Sequence, residues 1–294
     1  MKYSIEAVRD VRLAENISPN VIYNRFDLFA NADCQLFRYT DQTGEYYFEV
    51  LLSGKSAKLG IWLMHLDSDA LKRISTYVFR HYKSVRYVFA ENSYDKFGSY
   101  KETNHFRIEL PNSVEELDSR LSSKGRYNIK REKRILAQDF ESYSVQKYDA
   151  LSEDALPLWN LYFQFKKNTH DHRYHMTPQE YCDVFHVTTI YALHVGQEQK
   201  VIAMVLSCEQ CPIVYIENLS YDTEFAKYSP GQVLYDEYLK LLLSERVKEI
   251  YLLGGDYDYK RRYGSLEETV YNCSLHRYEF LRIIKSRFSL FIKR

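Results

Sequence analysis

The stretch "YDTEFAKYSPGQVLYDEYLKLL", Tyr221 to Leu242, places Ser229, Pro230 and Gly231 between a strand-like run, "PIVYIENLSY", and a helix-like one. Proline suits the first turn of a helix and glycine relieves crowding there, so the spacing predicts a helix that starts at Pro230. The first turn of a helix also leaves backbone N–H groups without intrahelical partners, which makes it a ready anion site. A diphosphate needs several donors within about 3 Å and a backbone that can come close. Tyr228, Ser229, Gly231 and Gln232 are the residues placed to supply them.

Other stretches also hold residues suited to chemistry. The segment "SSKGRYNIKREKRILAQ" carries Lys124, Arg126, Lys130, Arg131, Lys133 and Arg134 with little opposing charge, as either a solvated face or a surface for an anionic group. "YDYKRRYG" gathers Tyr259, Lys260, Arg261, Arg262 and Tyr263, a set able to hold a carboxylate or a phosphate. Just before it, Gly254 and Gly255 allow close backbone approach beside Asp256, which is placed to orient an acceptor or to pair with Lys260. "NTHDHRYHMTP" supplies His170, Asp171, His172 and His175 between two predicted helices. These are good metal ligands, yet their spacing matches no tight helical pair, and no metal is expected. Cys208 and Cys211 form a CxxC with no second pair of ligands nearby, so "CEQCP" reads as a hairpin turn.

The elements that must position these residues come from a chain of 294 residues with 45% hydrophobic content, too long for one small core and suited to two domains. Its 40 Lys+Arg balance 40 Asp+Glu, so no global charge favours nucleic acid or an anionic membrane, and no DNA partner is expected. The start lacks the apolar core of a signal peptide, and no uninterrupted apolar run of about 18 residues appears, which argues against stable membrane insertion. With five cysteines, an odd number, the expectation is a cytoplasmic protein.

The pattern along the chain is that of mixed α/β sheets. "CQLFRYTD", "EYYFEVLLS" and "AKLGIWLMHL" read as strands; "DSDALKRISTYVFRHY" reads as a helix capped by Asp67 or Ser68, with Leu71, Ile74, Val78 and Phe79 inward; "VRYVFAEN" and "NHFRIELP" follow as strands. From Ser113 a helical segment begins, with Gly125 as the expected break between two helices. Later come "ESYSVQKYD", two helices, the strands "IYALHVG", "KVIAMVLSC" and "PIVYIENLSY", the helix from Pro230, "VKEIYLLGG" and "TVYNCSLHRY". Leu234, Tyr238, Leu241 and Leu242 put one face of the Pro230 helix on a sheet. No internal repeat is visible, and the aromatic, basic tail reads as a helix covering a sheet.

"SSKGRYNIKREKRIL", "YSPGQVLYDEYLKLL" and "YLLGGDYDYKRRYG", in this order and spacing, resemble the GNAT acyltransferase superfamily, in the branch of CelD-like acetyltransferases and FemABX peptidyltransferases. The resemblance covers residues 113–264 and implies an α/β (α+β) fold of tandem GNAT-like mixed sheets flanked by helices. The expected halves are residues 1–112 and residues 113–294, the second carrying the basic connecting helix and the cofactor turn.

The resemblance further implies that "KYSPGQ" wraps the pyrophosphate of acetyl-CoA or another acyl-CoA, used as co-substrate, with Lys227 available as a cation. The superfamily's fuller turn is reduced here, with only Gly231 clearly retained. Acyl transfer requires a base for the attacking group, donors for the oxyanion and a proton for the departing thiolate. Glu217 lies on the strand from which the superfamily often draws its base; Asp256 is placed beside the acceptor and Tyr263 to protonate the thiolate. Arg126, Asn128, Lys130, His172, His175, Lys260 and Arg261 are the implied acceptor-binding set. The acceptor would be an amine or hydroxyl of a small molecule, a sugar or a cell-envelope precursor. Two alternatives stay open: an aminoacyl-tRNA-dependent transferase of the FemABX kind, and a binding module whose transferase site has decayed.

Overall fold

The computed structural model describes residues 3–8, 34–42, 44–60, 66–93, 95–169, 176–185, 187–210, 212–254 and 258–279. It divides into two compact units, Met1–Asn104 with Thr269–Arg294, and His105–Glu268. The expected division near residue 112 thus compares with one at Asn104, and the chain from Thr269 onward returns to the first unit.

In the first unit β1 (Ser4–Ala7), β2 (Cys34–Thr40), β3 (Glu45–Ser53) and β4 (Ser56–Gly60) run antiparallel in that order. Helix α1 (Ser68–His81) then crosses over to β5 (Tyr87–Ser93), which lies parallel to β4. Phe37, Tyr39, Phe48 and Val50 alternate inward along their strands and are fully buried. Asp67 caps α1, its carboxylate accepting the Ala70 N–H at 2.6 Å, and Leu71, Ile74, Val78 and Phe79 form the buried stripe that the periodicity predicts.

The second unit begins within β6 (Ser99–Glu109), followed by α2 (Val114–Ser119), α3 (Ser123–Phe140) and β7 (Tyr143–Asp149). Then come α4 (Leu156–Thr169), α5 (Pro178–Phe185), β8 (Thr189–Val195), β9 (Lys200–Gln210), β10 (Ile213–Tyr221), α6 (Pro230–Ser244) and β11 (Glu249–Gly254). Strands β7, β8, β9 and β10 are antiparallel neighbours, β10 is parallel to β11, and β11 is antiparallel to β6. Every residue of β8 is buried because both sheet faces are covered. On one face Leu136, Val233, Leu234, Tyr238 and Leu242 of α3 and α6 pack on Tyr191, Leu193 and Val205; on the other Trp159, Tyr162 and Tyr181 of α4 and α5 pack on Ile190, Met204 and Leu206.

The two units share one plan, although the sequence shows no repeat. Each has four antiparallel strands, a helical crossover from the fourth, a parallel fifth strand and an antiparallel sixth. In the first unit the sixth strand is β12 (Leu266–His276), paired with β5 over Tyr271–His276. The expected helix break at Gly125 lies earlier, between Ser119 and Ser123: Ser122 caps α3 by accepting the Gly125 N–H at 3.0 Å, so Gly125 sits inside the first turn.

Candidate active site

Strands β10 and β11 are in register at Ile213–Glu249, Val214–Ile250 and Tyr215–Tyr251, and among the described residues they pair no further. At the same level the pairing of β10 with β9 shifts between Ile216 and Asn218, which makes Glu217 the bulged residue. A bulge re-aims a side chain and interrupts a ladder. The β11–β6 pairing also shifts, between Tyr251 and Gly254, where Gly254 meets His105.

Ionisable groups collect at this parting of the strands. Burial pushes the Glu217 carboxyl up to about 7, although the charges of Lys166 and Lys260 pull it down. Lys166 on α4 and Lys260 are both buried, and burial lowers each ammonium to about 8 while Glu217 holds it up. Lys260 Nζ donates to the Leu252 carbonyl at 2.6 Å. His105 is buried with no partner for Nδ1 among the described residues, and burial followed by the Lys260 charge lowers it to about 4, so it stands neutral. The arrangement thus holds a carboxyl that ionises near neutrality between two amines that lose their protons about a unit higher, which is the setting a general base requires.

A cavity of about 270 Å³ opens at the start of α6, walled by Ile129, Leu219, Tyr221, Gly231, Tyr235 and Arg262 among others. Ser229 adopts the left-handed conformation, φ 48° and ψ 49°, and its carbonyl accepts the N–H groups of Gln232 at 2.8 Å and Val233 at 3.2 Å. Its own N–H donates to the Ala226 carbonyl at 3.0 Å, and Pro230 has no N–H. Of this turn's donors the Gly231 N–H alone has no partner among the described residues. A Cβ on Gly231 would lie 3.0 Å from Leu219 Cδ2 and 3.5 Å from Tyr221 Cδ1, in the cavity wall. Arg262 lies in the lining with Nη1 donating to Gln232 Oε1 at 2.7 Å. The turn is therefore a thinner anion site than its sequence suggests.

Residues 123–261 match the GNAT acetyltransferase domain family. The chain carries a GNAT-superfamily, FemABX-related fold. Among solved structures, FemX superposes with a TM-score of 0.64 at 7% identity, over 96% of this chain and 100% of that one. L-PGS from Bacillus licheniformis superposes with a TM-score of 0.55 at 10% identity, over 83% of this chain and 84% of that one. At such identities the likeness is one of fold. A sequence search of curated proteins found no match. Among the described residues no helix is long and apolar enough to cross a membrane, and no cluster of three or more His, Cys, Asp or Glu is arranged to hold a metal.

Within the GNAT fold the remaining expected site residues fall into distinct settings. Tyr263 lines the cavity but is buried, and its hydroxyl makes a short hydrogen bond to Asp236. Burial and the Asp236 charge raise its pKa far above the usual tyrosine value, which corrects the expectation of an acid for a leaving thiolate: the proton is held by a buried structural partner. Asp236 also binds Lys133 at 2.6 Å and Lys240 at 2.9 Å. Tyr228 is likewise buried and donates to Asp139 at 2.8 Å. Lys227 is exposed, 3.8 Å from Asp139 and over the Tyr228 ring, and does not line the cavity.

On α3, Arg126 turns its guanidinium to the carbonyls of Asp118, Ser119 and Leu121 at the end of α2, so it closes a helix instead of facing a substrate. Asn128 is half-buried and Lys130 exposed on the same helix. Arg261 is exposed, 3.6 Å from Glu267 and over the Phe106 ring. Asp256, His172 and His175, with His170, Asp171 and Cys211, lie outside the described residues. Lys166 and His105 are the site groups that sequence reasoning missed. For Lys166 a signal existed, because Trp159, Tyr162 and Lys166 fall at i, i+3 and i+7 and put the lysine on the buried stripe of α4.

Proposed function

We propose that the protein transfers an acyl group from an acyl thioester, acyl-CoA or a close relative of it, to an amine or hydroxyl of a small molecule, a sugar or a cell-envelope precursor. The observation that carries this reading is Glu217, a carboxyl with its pKa near 7 on the bulge where β10 and β11 part, beside Lys166 and Lys260. As carboxylate it takes the proton of the acceptor nitrogen or oxygen while that atom attacks the thioester carbonyl. The Lys260 ammonium offsets the oxyanion that forms. Collapse of the tetrahedral intermediate breaks the C–S bond, the thiolate leaves with a proton from the Lys260 ammonium, and the proton on Glu217 restores the pair through solvent. The donor's arm occupies the cavity at the start of α6, with the Gly231 N–H and Arg262 as its polar anchors.

The aminoacyl-tRNA alternative draws support from one feature, the single open N–H of the α6 turn, which suits a diphosphate poorly. Parallel incubations with acetyl-CoA, S-acetylpantetheine and aminoacyl-tRNA, each against a panel of amines and sugars and read by mass spectrometry, separate the two. Acylated product from a thioester is expected; product from aminoacyl-tRNA alone would overturn the proposal.

A further inference from the structure

Beyond the last rung that β10, β11 and β6 share, the sheet offers bare backbone beside a buried histidine. Phe106 and Ile108 turn into the core under α6, so His105 and Arg107 turn to the opposite face of β6, the face on which α4 packs. Directly paired residues share a face, which puts Tyr251 beside Arg107 and would put a side chain at position 254 beside His105. The residue there is glycine, so β11 contributes no side chain to this rung and a ligand can come close. Tyr215 pairs with Tyr251, and their rings stack with centroids 5.1 Å apart, which closes the rung before. Glu217 follows two residues beyond Tyr215, in the β10 bulge, and Lys260 Nζ is fixed at the Leu252 carbonyl of β11. Strand pairing and one hydrogen bond thus bring Glu217, Lys260 and His105 to three adjacent strands at one level of the sheet.

His105 is 4% exposed, and its Nδ1 has no hydrogen-bond partner among the described residues. A buried polar group left so costs about 1–3 kcal/mol, which a ligand that supplies the missing hydrogen bond would recover. The neutral imidazole can donate from one nitrogen and accept at the other, so a hydroxyl suits it better than a fixed charge. The backbones of β6 and β10 are two strand spacings apart, about 10 Å, and each side chain reaches a ligand atom about 3 Å away. One small ligand therefore meets both Glu217 and His105 only if it carries a second polar group a bond or two from the attacking atom. We propose that His105 is an acceptor-binding residue that selects acceptors with a hydroxyl next to the attacking amine or hydroxyl, as on an amino sugar or another polyol. Glu217 takes the proton of the attacking group while the imidazole holds the neighbouring hydroxyl. The inference rests on the thioester reading above and narrows its acceptor.

The test measures acetyl transfer from S-acetylpantetheine to trans-2-aminocyclohexanol and to cyclohexylamine, which differ by the one hydroxyl, in the full chain and its His105→Phe and His105→Gln variants. The quantity read is the ratio of kcat/KM for the amino alcohol to that for the plain amine, because a residue that only supports the fold would change both alike. The wild type should favour the amino alcohol by about tenfold or more, and His105→Phe should lower the ratio by about the same factor. His105→Gln, whose amide still donates and accepts, should keep most of the preference. A wild-type ratio near one would overturn the proposal without recourse to a variant, while transfer to both amines would uphold the thioester reading. An unchanged ratio in a folded His105→Phe protein that binds S-acetylpantetheine by calorimetry, or an equal fall in His105→Gln, would reduce His105 to packing and overturn the proposal as well. No transfer to either amine with the thioester bound would also overturn it, and failure of all three proteins to bind the thioester would overturn it together with the thioester reading.

Discussion

If Glu217 must be ionised and Lys260 protonated, transfer should peak in a narrow band of pH. With the carboxyl near 7 and the ammonium near 8, the active form makes up about 0.6 of the protein midway between them and about 0.1 one unit outside either value. The profile of kcat/KM should therefore be a bell that has fallen about sixfold from its centre by one unit outside either value, its limbs belonging to the coupled set and not to single residues. Glu217→Gln should reduce the rate by about a hundredfold to ten-thousandfold and abolish the acid limb. It should also move the alkaline limb down, because the carboxylate that holds up the lysines is gone. Lys166→Met should act in the opposite sense on Glu217: a charge that lowers its pKa is removed, so the acid limb should rise. The assay is initial rate against pH for the three proteins at limiting substrate. A wild-type profile flat across this range, or an acid limb that survives in Glu217→Gln, would refute the reasoning.

Gly231→Val should weaken thioester binding by about tenfold or more, or 1.4 kcal/mol, while the flexible end of Leu219 yields and the melting temperature falls little; near-normal affinity in the folded variant would remove the turn from the site. Lys133→Met should destabilise the second unit by about 3 kcal/mol in urea melts, since Asp236 would stay buried with Lys240 and Tyr263 as partners. Burial works to raise the Asp236 carboxyl, but Lys133 leads the groups that hold it below the usual range, so this stability is present above the ordinary carboxylate pKa and is lost as pH falls through the depressed one; the variant should lose less on acidification. Arg126→Ala should cost about 1–3 kcal/mol of stability by freeing the α2 carbonyls, with thioester affinity unchanged by calorimetry; loss of affinity without loss of stability would return Arg126 to a binding role.

Much of the fold was legible because its elements obey local rules. Of the two caps expected for α1, Asp67 and Ser68, it is Asp67 that caps it, and the apolar spacing from Leu234 to Leu242 marked the buried side of α6. The start of α6 at Pro230 followed from proline chemistry alone. What sequence could not give was the spending of donors. Neither the capture of the Gln232 and Val233 N–H groups by the left-handed Ser229 nor the reach of Arg126 back to α2 has a local signature. Asp236 could have been suspected, since it interrupts an otherwise apolar face, yet its partner on α3, Lys133, lies 103 residues away along the chain. The shared plan of the two units is invisible in sequence because it resides in strand order and direction, which many side-chain sets satisfy equally.

The central claim is that Glu217, at the parting of β10 and β11, takes the acceptor's proton during transfer from a thioester. Single-turnover transfer of a labelled acetyl group from S-acetylpantetheine to the best acceptor of the panel, at the centre of the pH bell, tests it most directly. Wild type should transfer the label with release of one thiol for each acyl group moved, and Glu217→Gln, folded and able to bind the thioester, should be slower by about a hundredfold or more. Equal single-turnover rates in the two proteins would contradict the account.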